Sequence, residues 1–240
     1  MNDALCQAIA DMTKRFCRVE INPLFTSLIQ SCWLIPLNKN PGIHPLGIGE
    51  IRRRIMAKAV TKISRSDIQA AGGTLPNLHV GIDRGIEAAI HAMAQAYDND
   101  TTEGFQLVHA ENAFNYLNRK TALTNIKSIC PPFATFLNNL YQNAVTLHIP
   151  NSDQTISSEE GTTQGCPAAF YMYALAIVPS IKLLSGKCIN STVKQAWFAD
   201  DSSAVEDLRG ILNEGGLKDL QMDTMITKWK LTVFVPVMKP

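Results

Sequence analysis

Lys194-Gln195-Ala196-Trp197-Phe198-Ala199-Asp200-Asp201-Ser202-Ser203-Ala204-Val205 is the stretch on which the fold turns. Val193 to Phe198 and Ser202 to Val205 read as two short strands, and Ala199-Asp200-Asp201 as an acidic turn between them. Two adjacent carboxylates at the tip of a buried hairpin are costly unless cations or strong donors compensate them. Magnesium, with its demand for hard oxygen ligands, is the cation such a pair favours. An ordinary solvated turn is the competing reading, because Asp is common in turns.

Working outward, Gly161-Thr162-Thr163-Gln164-Gly165-Cys166-Pro167 is a polar loop that leads into a helix over Ala168 to Leu184. Before it, Ala144–Ile149 and Gln154–Ser158 form a hairpin candidate joined by Pro150-Asn151-Ser152-Asp153. Pro131 and Pro132 open a helix that runs to about Tyr141. Gly104 to His109 reads as a buried strand, followed by one helix over Glu111 to Ile129. Upstream, residues 1–30 are helical in rhythm and Trp33 to Leu37 is a short apolar run closed by the turn Asn38 to Gly42. Glu50 to Val60 and Glu87 to Tyr97 read as helices. Ala70 to Gly85 is loop-like, Gly210 to Leu220 helical or irregular, and Leu231 to Val235 β-like.

Phe198-Ala199-Asp200-Asp201 resembles the (Y/F)xDD box of reverse transcriptases. The Gln164-Gly165 loop and the helix after it resemble the segment that precedes that box. His109-Ala110-Glu111-Asn112-Ala113-Phe114 resembles the first palm motif, in which a metal-binding aspartate is followed five positions later by an aromatic. Leu34 to Lys39, His44 to Ile48 and Arg53-Arg54-Ile55 resemble the fingers segments. The order and spacing agree across Trp33 to Val205, and the resemblance is to reverse transcriptases of metazoan retroelements.

The resemblance implies an α+β right-hand polymerase with fingers and palm, an antiparallel palm sheet packed on helices, and the thumb missing. Residues 1–103 would be the N-terminal and fingers region, and 104–240 the palm with an atypical tail. Asp200 and Asp201 would be the catalytic pair and bind Mg2+, or Mn2+ in its place. Two such ions activate a primer 3′-hydroxyl and stabilise the leaving pyrophosphate. Phe114 would lie under the incoming sugar, with core packing as its plainer alternative. Gln164 and Gly165 would sit at the nascent base pair, Gly165 because it lets backbone approach closely. Arg53 and Lys39 would meet substrate phosphates. The implied partners are an RNA template, a DNA primer and a dNTP.

The sequence departs from the motif at His109, where an aspartate is expected. A neutral imidazole is a poor ligand for magnesium and supplies no negative charge. Glu111, two residues on, would share the strand face about 6.6 Å farther along and is the candidate rescue ligand. His44 stands where arginine usually precedes proline, and Cys166 where a small polar or acidic residue is usual. The expectation is a reverse-transcriptase-like domain with impaired nucleotidyl transfer. An inactive nucleic-acid-binding remnant and a structural or interaction domain are the alternatives.

Composition sets the outer bounds. The chain has 240 residues, 46% hydrophobic, with 22 Lys and Arg against 21 Asp and Glu and a formal net charge of +1. That excludes a disordered polyampholyte and a basic tail protein, while leaving room for a local basic patch. Arg54, Lys58 and Lys62 fall at i, i+4 and i+8 and share a helix face, either phosphate-facing or merely solvated. Arg119 and Lys120 read as surface charge. The six cysteines show no CxxC spacing and read as small buried hydrophobes. The apolar region near Ala168 to Leu184 is broken by Pro179 and Lys182, so no membrane span is expected. An intracellular, reducing setting is the default.

Overall fold

The computed structural model describes residues 2–40, 42–72, 82–98, 104–110, 112–187, 194–206 and 229–234. Their fold is α+β. The chain forms two compact units, one from residues 1–68 and 114–176, the other from 69–113 and 177–240.

In the first unit, helices start where a side chain can satisfy their free N–H groups. Asn2 caps α1 (Asp3–Arg18), Asn22 caps α2 (Pro23–Gln30), and Glu50 caps α3 (Ile51–Ile63) by accepting from the Arg52 and Arg53 amides. Asn118 caps α7 (Arg119–Ile129), and Pro131 and Pro132 open α8 (Pro131–Tyr141). Phe133, Phe136, Leu137, Leu140 and Tyr141 of α8 are fully buried, which makes this helix the centre of the unit's core.

The expected single helix over Glu111 to Ile129 is two helices, α6 (Ala113–Tyr116) and α7. The break has a clear cause. The Leu117 carbonyl accepts from the Gly161 amide at 2.9 Å, and the Phe114 carbonyl from the Thr162 amide at 2.6 Å. The Asn118 side chain then restarts the helix by accepting from the Thr121 amide at 2.9 Å.

The first unit's sheet is mixed, in the order β2-β1-β4-β5. β1 (Cys32–Asn38) and β2 (Ile43–Gly49) form an antiparallel hairpin, as do β4 (Val145–His148) and β5 (Thr155–Ser158). β1 and β4 join in parallel over Cys32 and Trp33 only. Pro36 and Pro45 pair opposite each other beyond that short contact. Neither can donate to a ladder, so they sit where the sheet has narrowed to two strands.

The second unit holds the antiparallel sheet β6-β7-β3-β8. Its strands are β3 (Gly104–Ala110), β6 (Lys194–Phe198), β7 (Asp201–Glu206) and β8 (Trp229–Phe234). Helix α5 (Gly85–Tyr97) packs on it through Ala89, Met93 and Ala96, which cluster with Ala196 and Val205. Among the described residues, the further helices are α4 (Arg65–Gly72) and α9 (Ala169–Lys187). Among the described residues, no helix is long and apolar enough to cross a membrane. Gly210 to Leu220 lies outside the described residues.

Asn139 of α8 is the polar tie of the first unit. Its Nδ2 donates to the Phe16 and Val19 carbonyls at 2.8 Å, and its Oδ1 accepts from the Ile21 amide at 2.8 Å. Asn139→Ala leaves three backbone groups unsatisfied where α1 turns towards α2. The expected cost is about 3 kcal/mol, read from urea unfolding midpoints.

Candidate functional site

The acidic turn is a two-residue hairpin loop. Phe198 pairs with Asp201, leaving Ala199 and Asp200 as the connection. The strand leading to it is anchored by Ala196 and Trp197, 4% and 3% exposed. Ala199 takes φ 54°, a left-handed conformation that favours glycine. An L-residue held there costs about 1–2 kcal/mol.

Strand β3 brings residue 109 to this turn. It pairs antiparallel with β7, with His109 directly opposite Asp201, and the Ala110 amide donates to the Asp200 carbonyl at 3.0 Å. Directly opposed residues share a sheet face. The His109 Nδ1 lies 2.8 Å from Asp201 Oδ1 and 3.8 Å from Asp200 Oδ2. An ionised carboxylate only accepts, so Nδ1 carries the hydrogen in this bond. The Asp200 side chain is 27% exposed, and those of His109 and Asp201 are 46% and 71% exposed. A bond this open to water contributes about 0.2–1 kcal/mol. Its consequence is positional, since it holds one carboxylate on an N–H donor.

At this turn two carboxylates meet an imidazole, where the resemblance implies a third carboxylate for magnesium. Magnesium needs oxygen ligands in octahedral array. Here the third position offers an imidazole, and its near nitrogen is turned onto Asp201 as a donor. Among the described residues, no group of three or more His, Cys, Asp or Glu is arranged to hold a metal ion. Glu111, the candidate rescue ligand, lies outside the described residues.

The other candidate residues belong to the first unit. Gly161 and Gly165 take φ 71° and 98°. A Cβ on Gly165 would stand 2.7 Å from the Gly47 carbonyl oxygen, and the Gly47 amide donates to the Gln164 carbonyl at 2.8 Å. The close approach at Gly165 is thus to the chain's own β2 backbone. Gln164 lines a cavity of about 300 Å³, together with Leu34, Pro45, Gly47, Asn115 and Thr163. Phe114 is half-buried, its ring centroid 5.1 Å from that of Tyr173. Lys39 is exposed in the β1–β2 turn, its amide donating to the Gly42 carbonyl at 3.0 Å.

Arg53, expected to meet substrate phosphate, lies in the interior of the first unit. It is 0% exposed. Its Nη1 donates to the Gln30 carbonyl at 2.6 Å and contacts Cys32 Sγ at 3.2 Å, and its guanidinium lies 5.2 Å from the Tyr141 ring centroid. The cause is helix phase. Arg53 shares the buried face of α3 with Met56, Ala57 and Val60, while Arg52 and Arg54 fall outside it. Burial pushes the Cys32 thiol above its ordinary value, so it meets Arg53 as a neutral group.

Arg119, read as surface charge, is instead a buried anchor at 4% exposure. Its Nε donates to the Gly161 carbonyl at 3.0 Å, Nη1 to the Asn143 and Ser158 carbonyls at 2.9 and 3.0 Å, and Nη2 to the Glu160 carbonyl at 2.9 Å. Its own amide donates to the Glu160 carboxylate at 2.8 Å. One guanidinium fork thereby holds the entry to the Gln164-Gly165 loop. The available signal was its place directly after the Asn118 cap.

No family model and no curated protein matches the sequence. Solved structures do. Telomerase from Candida albicans, in complex with the TWJ fragment of telomeric RNA, superposes with a TM-score of 0.66 at 6% identity. That match covers 96% of this chain and 47% of the telomerase chain. Apo telomerase from Candida tropicalis gives a TM-score of 0.64 at 7% identity, over 88% and 44% of the two chains. The Candida tropicalis form truncated from its C-terminal domain gives 0.60 at 10% identity, over 90% and 52%. The chain shares the telomerase fold. It spans about half the length of these telomerase chains.

Two substitutions check the geometry. Ala199→Gly relieves the left-handed strain and is expected to stabilise the protein by about 0.5–1 kcal/mol, seen as a raised thermal midpoint. Arg119→Lys keeps the charge and loses the fork. It should destabilise by about 2–3 kcal/mol in urea unfolding, because carbonyls of the loop lose their donors.

Proposed function

We propose that this chain is a reverse-transcriptase-like domain, with fingers and palm, that binds an RNA template with a DNA primer. Its magnesium-dependent nucleotidyl transfer is impaired at His109. The observation that carries the reading is the 2.8 Å contact between His109 Nδ1 and Asp201 Oδ1, at the strand pair that aligns the first motif with the acidic turn. The telomerase fold supports the nucleic-acid side of the reading, and two of the matched telomerases are complexes with telomeric RNA.

In this reading His109 does what the chain's own residues allow. Its N–H offsets one carboxylate of the turn and orients it. The hydrogen bond replaces the negative oxygen ligand that a metal pair would need, so the turn keeps its shape while losing part of its capacity for divalent ions. Lys39 and the exposed Arg54 remain as candidate phosphate contacts.

Primer extension and salt-dependent binding test the two halves separately. Binding to an RNA–DNA primer–template is expected to weaken steeply as salt rises, because phosphate contacts release counterions. Wild-type incorporation of dNTP with MgCl2 should lie near that of Asp200→Asn. His109→Asp should raise it at least tenfold. Robust wild-type incorporation that Asp200→Asn abolishes and His109→Asp leaves unchanged would refute the impairment. Absence of primer–template binding at low salt would refute the whole assignment.

A further inference from the structure

Two helices carry aliphatic ridges that the chain leaves exposed, and their flanking charges are of opposite sign. On α3, Ile51, Ile55, Ala59 and Ile63 follow one another every four residues and are all exposed, the isoleucines at 67%, 45% and 78%. Beside them runs a second row with the same spacing, Arg54, Lys58 and Lys62, also exposed. The helix contains no acid between Ile51 and Ile63. On α5, Ile86, Ile90 and Ala94 form the same kind of ridge, with the isoleucines at 47% and 61% exposure. Glu87 is the sole Asp, Glu, Lys or Arg within α5; Asp83 and the N-cap Arg84, both exposed, directly precede the helix and Asp98 follows directly after its end, so this side carries three acids to one base. Glu87 and Asp98, eleven residues apart, lie on one side of the helix.

Ridges spaced by four residues are the surfaces that interlock when two helices pack. A nucleic-acid backbone matches the cations of α3 but offers nothing to three exposed isoleucines. An anionic membrane matches α3 but repels the acidic side of α5. A second copy of this chain supplies both halves, an acidic isoleucine ridge for the basic one. We propose that α3 of one copy docks against α5 of another, the isoleucine ridges interlocking and Lys58 and Lys62 facing Glu87. The contact joins two different surfaces, so it is heterologous. One helix pair is smaller than a stable interface of about 1,200 Å², so the association is weak and depends on concentration.

The test is the mass of the 240-residue chain by light scattering and sedimentation over a wide concentration range, with circular dichroism confirming that each variant is folded. The average mass of the wild type is expected to rise with concentration, and high salt to weaken the association. Lys58→Glu with Lys62→Glu, and separately Glu87→Lys, should each raise the apparent dissociation constant at least tenfold. Mixing the two variants should restore association, because the altered α3 then meets the altered α5 with signs exchanged. A wild type that stays monomeric at every concentration overturns the proposal. So does association that both variants retain, or that both lose without recovery on mixing. Loss of RNA binding in the α3 variant, with no change in mass behaviour, would assign that face to nucleic acid instead.

Discussion

The pairing of β3 with β7 is the constraint from which the rest of the candidate site follows. Antiparallel register puts His109 opposite Asp201, and with that single alignment two segments ninety-two positions apart acquire a common face. A slip of one residue would turn His109 to the other side of the sheet. The Ala110 amide on the Asp200 carbonyl fixes the register at the turn itself, and β8 pairs along the other edge of β3. Position 109 is therefore held by backbone bonds that do not depend on which side chain stands there. The local fold therefore accommodates an imidazole at this position.

The first unit solves a different problem with buried cations. Arg119 spends its guanidinium on carbonyls from three separate stretches, Asn143, Ser158 and Glu160-Gly161. Those stretches form the loop and hairpin around Gln164, which lack the apolar content to hold themselves. Arg53 sits in the same unit over the opposite partner list, Gln30, Cys32 and Tyr141. Tyr141 lies under both guanidinium groups, at 5.2 and 5.7 Å from its ring centroid. A neutral aromatic between two cations attracts each through its ring face. Burial pushes the Tyr141 phenol well above its ordinary value, so it stays neutral there.

Strain and glycine divide the labour between the two turns that matter. At Gly161 and Gly165 the positive φ is taken by glycine, because backbone from Asn115 and Gly47 leaves no room for a Cβ. At Ala199 the same kind of conformation is borne by an alanine at a two-residue hairpin loop. Local strain of this sort persists where neighbouring structure over-determines it, here through two paired strands and a buried Trp197.

The local features were legible from residues alone. The hairpin around Asp200-Asp201, the strand ending at His109, the Pro-led helix after Cys130 and the loop before Ala168 all rest on short-range signals such as turn residues, apolar runs and caps. Even the shared outward face of Arg54, Lys58 and Lys62 follows from helical spacing. What those signals do not encode is depth. Arg52, Arg53 and Arg54 are chemically alike, and only the packing of α3 selects the middle one for the interior. Arg119 looked like surface charge because its acceptors come from residues 143 to 161. The break at Leu117 depends on amides forty-odd residues away. A charge is buried, or a helix interrupted, when distant backbone offers a better partner than water or the next turn, and that choice belongs to the tertiary structure.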